Sequence, residues 1–313
     1  MRREDGDAVR SSLVSVQRPI VAGGRASLWS RHVPVLLVLP GVGFVVALLV
    51  LPFLSLVALS LLDWDLQRVS RTFVGLANYG AILRDGRLWE SVGHTLLITA
   101  IAAPLELVLG LGLAQLISGQ VRGRTWLVPL FVLPAIMSPI VVGYGWRMLW
   151  DTQYGPINHL LAAVLGRPVT IVWLAHPQTV YAALITTEVW QWTPFMFLAL
   201  LAALASVDPE LLEAASIDGA SGWSAFWLVT LPLITPMMAV ALVLRSLDLL
   251  KLFDTVFALT YGGPGTLTET LSLYVYILGF KNFRLGYTAA AAVLFLAGLS
   301  VLSTAIIRRM VEE

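Results

Sequence analysis

Charged residues inside long apolar stretches are the first candidates for chemistry in this sequence. Arg245, Asp248 and Lys251 follow one another at three-residue intervals in one apolar stretch. This spacing places them within about a 120° arc of one helix face, where charges of alternating sign can neutralise one another. The row predicts either an ion-pair ladder that holds helices together or a polar wall that hydrogen-bonds the hydroxyl groups of a ligand. Both interpretations stay open at the level of the sequence.

A second candidate site surrounds Glu188. Gln191, Trp192 and Phe195 follow it in the same apolar stretch, and Pro194 interrupts the backbone hydrogen bonding there. Carboxylate, amide and indole groups are typical of sugar binding, because hydroxyls need paired donors and acceptors while apolar sugar faces stack on aromatic rings. Plain aromatic packing is the alternative explanation.

Other kinds of chemistry are excluded by what the sequence lacks. It has no cysteine, which rules out disulfides, thiol nucleophiles and Cys-ligated metals. Lys251 and Lys281 are its only lysines, and neither belongs to a G-x-x-x-x-G-K-[ST] motif. Recognisable protease motifs are also missing. We therefore expect no bound metal or cofactor and no catalysis in this chain.

The elements that must position these residues are predicted to be membrane-spanning helices. Apolar residues make up 58% of the 313 positions and charged residues only 12%, about half the share found in soluble domains. A span needs about 20 apolar residues. Six stretches qualify: 33–62, 91–118, 125–150, 178–204, the second half of 219–244 continued to about 257, and 285–307. The fifth of them contains Arg245, Asp248 and Lys251.

The distribution of positive charges predicts the orientation. Ten Arg residues lie on the side of the two termini, and seven Arg or Lys residues lie on the other. By the positive-inside rule both termini are expected in the cytoplasm of a plasma-membrane protein. Residues 1–32 are predicted to be a cytoplasmic tail that lies on anionic headgroups, and residues 33–309 the transmembrane domain. Glu106, in the second span, is expected to bond a neighbouring helix.

The loop between the fourth and fifth spans, residues 207–232, contains the most informative pattern. Asp208 and Pro209 are typical of a helix N-terminus, and Gly219 is expected to end that helix. A second short helix is expected over 221–229, with Leu231 and Pro232 marking the entry to the fifth span. The pattern predicts two short helices around a glycine-centred bend. A solvated helical linker is the alternative.

This loop resembles the EAA loop of binding-protein-dependent ABC importer permeases. The resemblance rests on Glu213-Ala214-Ala215, Asp218-Gly219 and, further on, Leu231-Pro232, with Val229 where the family usually has isoleucine. Three further segments resemble the carbohydrate-importer branch, which includes maltose-type and trehalose-type permeases: 73–79, 155–158 and 253–264. The resemblance covers nearly the whole chain and implies an all-α, six-helix MetI-like fold.

The resemblance also implies partners and roles. The chain would form half of a translocation path with a second, homologous permease, receive sugar from an extracytoplasmic binding protein, and couple through the loop to two ATPase subunits that hold ATP and Mg²⁺. Substrate contacts would fall on Glu188, Gln191, Trp192 and Phe195. A disaccharide or short oligosaccharide such as trehalose or maltose is the expected substrate. Three alternatives are a glycerol-phosphate importer, which could use Arg245 and Lys251, a proton-coupled secondary transporter and an intramembrane enzyme.

Overall fold

The computed structural model describes residues 28–68, 71–119 and 123–312. Most of the predicted tail, residues 1–27, lies outside these ranges, as does Arg122, so six of the ten Arg residues counted on the side of the termini are not described. The chain divides into two units at Leu54 and Ser55. The first contains most of helix α1, and every site discussed below belongs to the second.

The described residues form helices almost throughout, with one short antiparallel hairpin. In chain order the elements are α1 (Leu28–Ser60), β1 (Leu62–Trp64), β2 (Arg71–Phe73), α2 (Ala77–Leu83), α3 (Gly86–Ser118), α4 (Arg124–Ile136), α5 (Pro139–Leu149), α6 (Pro156–Leu165), α7 (Pro177–Ala205), α8 (Pro209–Ile217), α9 (Gly222–Ala225), a π-helical turn (Phe226–Thr230), α10 (Leu231–Leu249), α11 (Asp254–Leu259), α12 (Leu271–Phe280) and α13 (Leu285–Glu312).

Within the described residues, five helices are long and apolar enough to cross a membrane, and the bent pair α4 and α5 makes a sixth candidate. The predicted third span, residues 125–150, corresponds to this pair, and its axis bends by 95° between Ile136 and Pro139, a break that was not predicted. Met137 adopts extended backbone and Ser138 begins a new helix with Pro139 at its first position. A residue before proline avoids helical backbone, which accounts for the position of the break.

The core of the second unit forms where α3 lies along α7, with α10 packed against both. Close approach depends on Gly110, where an added Cβ would lie only 2.6 Å from the Cβ of Met196 and 2.8 Å from the backbone nitrogen of Phe197. Ala114, one turn further, is fully buried against Leu200 and its neighbours. Gly110 and Ala114 therefore form a small-residue pair that allows close helix packing.

Two of the motifs outside the loop fasten the ends of helices. The Nδ2 of Asn78 donates to the carbonyls of Ser60 and Leu62, at 2.9 Å each, at the end of α1. Asn158 donates to the carbonyls of Thr152 and Ile171 and accepts a hydrogen bond from the indole of Trp173. These amides satisfy loop carbonyls that helices leave unpaired, so their position in the sequence reflects how the chain turns between spans.

Candidate functional site

Four ionisable side chains from three helices meet inside the bundle. The guanidinium of Arg245 on α10 donates from Nε and Nη2 to both carboxylate oxygens of Glu106 on α3, at 2.7 and 3.1 Å. Its Nη2 also donates to Glu188 on α7 at 2.6 Å, and its Nη1 donates to Asp248 at 2.7 Å. One cation therefore joins three long helices, as charge-assisted hydrogen bonds of this length can do.

Burial divides this group into an inner and an outer part. The side chains of Arg245, Glu106 and Glu188 are 2%, 0% and 1% exposed, whereas those of Asp248 and Lys251 are 51% and 59% exposed. Lys251 Nζ lies 3.8 Å from Asp248 Oδ1, which continues the chain of ion pairs outward. The expected ladder is thus present, although Lys251 lies just past the end of α10, and its most buried contacts reach to α3 and α7. Glu106 bonds a neighbouring helix, as expected.

The indole of Trp192 covers the inner group on one side. The guanidinium carbon of Arg245 lies 4.7 Å from the centre of that ring, within the range of a cation–π contact. Trp192 and Phe195 are both half-buried. These two rings, together with Asp248 and Lys251, are the predicted path residues that keep exposed surface.

Gln191 is fully buried and points to the break in the third span. Its Nε2 donates to the carbonyl of Met137 at 3.1 Å, and its Oε1 has no hydrogen-bond partner among the described residues. Irregular backbone at membrane depth must be satisfied by neighbouring protein or by a water-filled cavity. Gln191 provides a hydrogen-bond donor for one backbone carbonyl at the break. The sequence alone did not indicate this contact, because the break itself was not predicted.

The predicted coupling loop has the expected helix, bend and helix. Asp208 accepts a hydrogen bond from the backbone N–H of Glu210 at 3.0 Å, which caps α8. At the other end Gly219 has φ +85°, and the backbone N–H groups of Gly219 and Ala220 donate to the carbonyls of Ser216 and Ala215 at 3.1 and 2.9 Å. This pairing is a Schellman motif, which requires the left-handed backbone that glycine adopts most readily.

The second helix of the loop does not stop before the fifth span. Helix α9 passes through the π-helical turn into α10, and the N–H of Leu231 donates to the carbonyl of Phe226, five residues earlier. The wider turn accommodates Pro232, which lacks an N–H and would clash with a carbonyl four residues before it in a regular helix. Leu231 and Pro232 therefore lie within a continuous helix rather than at a break. That helix ends at Leu249, short of the expected 257.

The residues predicted to couple to a partner lie mainly at the surface of the second unit. Glu213, Ala214, Asp218 and Gly219 are exposed, and Ala215 is half-buried. Neither Glu213 nor Asp218 forms an ion pair within the described part of the chain. Of the other two predicted residues, Leu231 is half-buried and Pro232 is exposed. An apolar, small-faced helix with unpaired acids is a surface suited to a protein partner.

A third buried acid, Glu269, was not predicted from the sequence. Glu269 is 2% exposed and accepts hydrogen bonds from Nε and Nη2 of Arg87 at 2.8 and 2.6 Å, and from the hydroxyl of Ser91 at 3.2 Å. It holds the segment between α11 and α12 against the start of α3. Because the partners are separated by 182 residues, spacing along the sequence carries no signal for the pair.

Comparison with known proteins identifies the family. Residues 106–312 match the family described as binding-protein-dependent transport system inner membrane component. The chain belongs to this family. The chain is 35% identical over 274 residues to the trehalose/maltose transport system permease protein MalF of Thermococcus litoralis, an alignment that covers 87% of this chain and 90% of that one.

Two further relatives and one solved structure are also ABC transporter components or transport-system permeases. The sulfoquinovosyl glycerol transport system permease protein SmoG of Agrobacterium fabrum is 35% identical over 91% of this chain and 92% of its own length. The trehalose transport system permease protein SugA of Mycobacterium tuberculosis is 34% identical, with 87% of each chain covered. A chain of a bacterial alginate ABC transporter superposes with a TM-score of 0.76 at 23% identity, covering 89% of this chain and 95% of that one, which shows the same fold.

The protein is therefore an integral plasma-membrane permease subunit of the ABC type with the MetI-like fold, and it is not an enzyme. Family membership excludes the secondary transporter and the intramembrane enzyme that the sequence had left as alternatives. A permease of this family works with partner subunits, so the surfaces described above belong to one component of a larger transporter.

Proposed function

We propose that this permease forms half of the translocation path for an uncharged disaccharide or short oligosaccharide. The observation that carries the proposal is the partly exposed group made by Trp192 on α7, Asp248 on α10 and Lys251 just after the end of α10, all joined through Arg245; Phe195, three residues after Trp192 on α7, is half-buried. Indole, carboxylate and ammonium side chains in one place offer a stacking face together with acceptors and donors for sugar hydroxyls. The names of the relatives, which include trehalose and maltose permeases, support the same substrate class.

The arrangement of charge disfavours the phosphate alternative. The guanidinium of Arg245 is 2% exposed and is already bonded to three carboxylates. Lys251 is exposed, but it lies 3.8 Å from an oxygen of Asp248. A phosphate ester would meet carboxylates at both cations, and like charges in contact are unfavourable. A neutral sugar carries no such penalty, so glycerol phosphate remains only the second candidate.

The coupling side of the proposal concerns helix α8. We propose that Glu213, Ala214, Ala215, Asp218 and Gly219, with Leu231 and Pro232, form the contact with an ATPase subunit, and that both chain termini lie on the same cytoplasmic side. ATP and Mg²⁺ would be held by two such subunits. A second, homologous permease and an extracytoplasmic sugar-binding protein would complete the importer. ATP-driven closure of the ATPase pair would then turn the path outward to receive the sugar.

The test is a panel of sugars supplied to the complete transporter in proteoliposomes, with the binding protein outside and ATP inside. We expect trehalose or maltose to stimulate ATP hydrolysis and to accumulate inside the vesicles, and glycerol phosphate to do neither. Accumulation of glycerol phosphate in preference to every sugar would contradict the proposal.

Replacing Trp192 by alanine tests the path more directly. Loss of one stacking face should reduce uptake by about 5-fold, as expected for a single aromatic contact, and leave assembly of the transporter unchanged. Trp190, on the same helix, is 40% exposed but contacts Trp146 instead of Arg245, so Trp190→Ala is the matched control and should transport normally. Equal uptake by the two variants would remove Trp192 from the path.

A further inference from the structure

Arg245 is bonded along the edge of its guanidinium and covered on its face. The four hydrogen bonds come from its three nitrogens to Glu106, Glu188 and Asp248, and the ring of Trp192 lies 4.7 Å from its central carbon. A guanidinium is planar, and carboxylates that approach its edge fix the orientation of that plane. The edge contacts therefore decide which way the face turns toward Trp192.

Glu106 makes the most restrictive of these contacts. It is the only one of the three carboxylates whose two oxygens both accept from the guanidinium, and it is fully buried on α3, away from the exposed side chains. Glu188 and Asp248 each accept a single hydrogen bond from Arg245. The two-point contact of Glu106 sets the plane, and the other two acids accept from donors whose positions are then fixed.

Stability alone gives a weak reason for this arrangement. Burying an ion pair carries a desolvation cost that often cancels its attraction, so a well-packed apolar pair would hold α3 and α10 together as well. A guanidinium does something that an apolar pair cannot do. It fixes the position of the Asp248 carboxylate and the tilt of the Trp192 indole at the same time.

We infer that Glu106 is a positioning residue for substrate selection, acting through Arg245 on Trp192 and Asp248 without touching the substrate itself. The inference rests on the proposed function, because Trp192 and Asp248 matter for selection only if they line the sugar path. By this inference, a buried acid on α3 helps to determine which sugar the transporter accepts. Arg245 has the same role and is the link between Glu106 and the exposed side chains.

The test compares trehalose and maltose uptake by the complete transporter in proteoliposomes, with each sugar at a concentration that saturates the binding protein. The ratio of the two rates does not depend on how much transporter assembles, so a purely structural defect leaves it unchanged. Glu106→Gln keeps the size of the side chain and removes its charge, and we expect it to change the ratio by about 5-fold, as for residues coupled in one network. Arg245→Lys keeps the charge, loses the planar fork and should change the ratio similarly.

Glu90→Gln is the matched control, because Glu90 is an exposed acid on the same helix and forms no ion pair among the described residues. Its ratio should equal that of the parent. The double variant Glu106→Gln with Trp192→Ala should change the ratio by less than the product of the two single changes, since Glu106 acts in part through the Trp192 ring. If Glu106→Gln assembles too poorly to measure, Arg245→Lys carries the comparison.

The outcomes distinguish a failure of the proposed sugar path from a failure of the positioning role alone. If Trp192→Ala leaves uptake and the sugar ratio unchanged, the proposed path is wrong, and the inference fails with it. If Trp192→Ala changes the ratio while Glu106→Gln and Arg245→Lys both keep the parent value, the path stands and the positioning role is overturned. Additive effects in the double variant would overturn it too, because they would show that Glu106 acts independently of the ring.

Discussion

The buried ion group and the coupling loop are built in opposite ways. In the ion group, Glu106, Glu188 and Arg245 are almost completely enclosed and bonded to one another. In the loop, the acids Glu213 and Asp218 are exposed and form no ion pair within the described residues. A buried charge needs its partners inside the same chain, whereas an exposed charge is hydrated and stays free to bind another subunit. The ion group, whose charges are paired within the chain, therefore holds this subunit together. The loop, whose acids are unpaired among the described residues, is the region that we propose binds other subunits.

Replacing Arg245 by methionine should have the largest effect on stability. Two buried carboxylates would lose their cation, which costs about 3–5 kcal/mol for a broken buried pair. We expect the purified transporter to unfold at a clearly lower temperature, measured by thermal denaturation in detergent. Asp248→Asn is the control, because that side chain is 51% exposed and its pairing should contribute only about 0–1 kcal/mol. Equal unfolding temperatures for both variants would contradict the division of the ion group into a buried part that stabilises the fold and an exposed part that does not.

Replacing Gly219 by valine should harm transport while membrane insertion stays intact. A β-branched residue at φ +85° is strained by about 1–3 kcal/mol, enough to change how α8 ends. We expect uptake to fall by at least about 10-fold, with normal membrane insertion. Gly222→Val, three residues away at the start of α9, serves as the control and should transport like the parent. Normal uptake by Gly219→Val would argue against docking through this loop.

The smallest effect is expected at an exposed acid that is already satisfied. The backbone N–H groups of Tyr154 and Gln153 donate to Asp151 and hold its pKa below the usual value. A lowered pKa in the folded state means that the stabilisation is complete above the unfolded pKa and is lost as the pH falls through the folded one. Asp151→Ala should therefore leave transport intact near neutral pH and only loosen the turn.

Limited proteolysis of the turn at residues 151–156 checks this expectation. At neutral pH the alanine variant should be cut faster there than the parent, and the difference should shrink in strongly acidic buffer, where Asp151 is protonated. A large loss of transport in this variant would show that the turn does more than connect α5 and α6.

Much of the fold could be predicted because its signals are local. The caps at Asp208 and Gly219 depend on residues within one or two helical turns, and both are found as predicted. The long apolar stretches became long helices for the same reason, since backbone groups in a bilayer must be satisfied within the helix. The 95° bend at residues 137–138 was missed, because prolines are also tolerated inside spans, as Pro104 and Pro194 show.

The candidate site divides along the same line. The sequence by itself determined the family, the helical spans and the short helix α8 with its caps, because each depends on composition or on spacing along the chain. Only the tertiary structure decided that Arg245 bonds Glu106, 139 residues away, and Glu188, 57 residues away, and that Asp248 and Lys251 remain exposed. Helical spacing tells which residues share a face. Which helix packs against that face is settled by the assembled bundle, where every buried charge must find its partner.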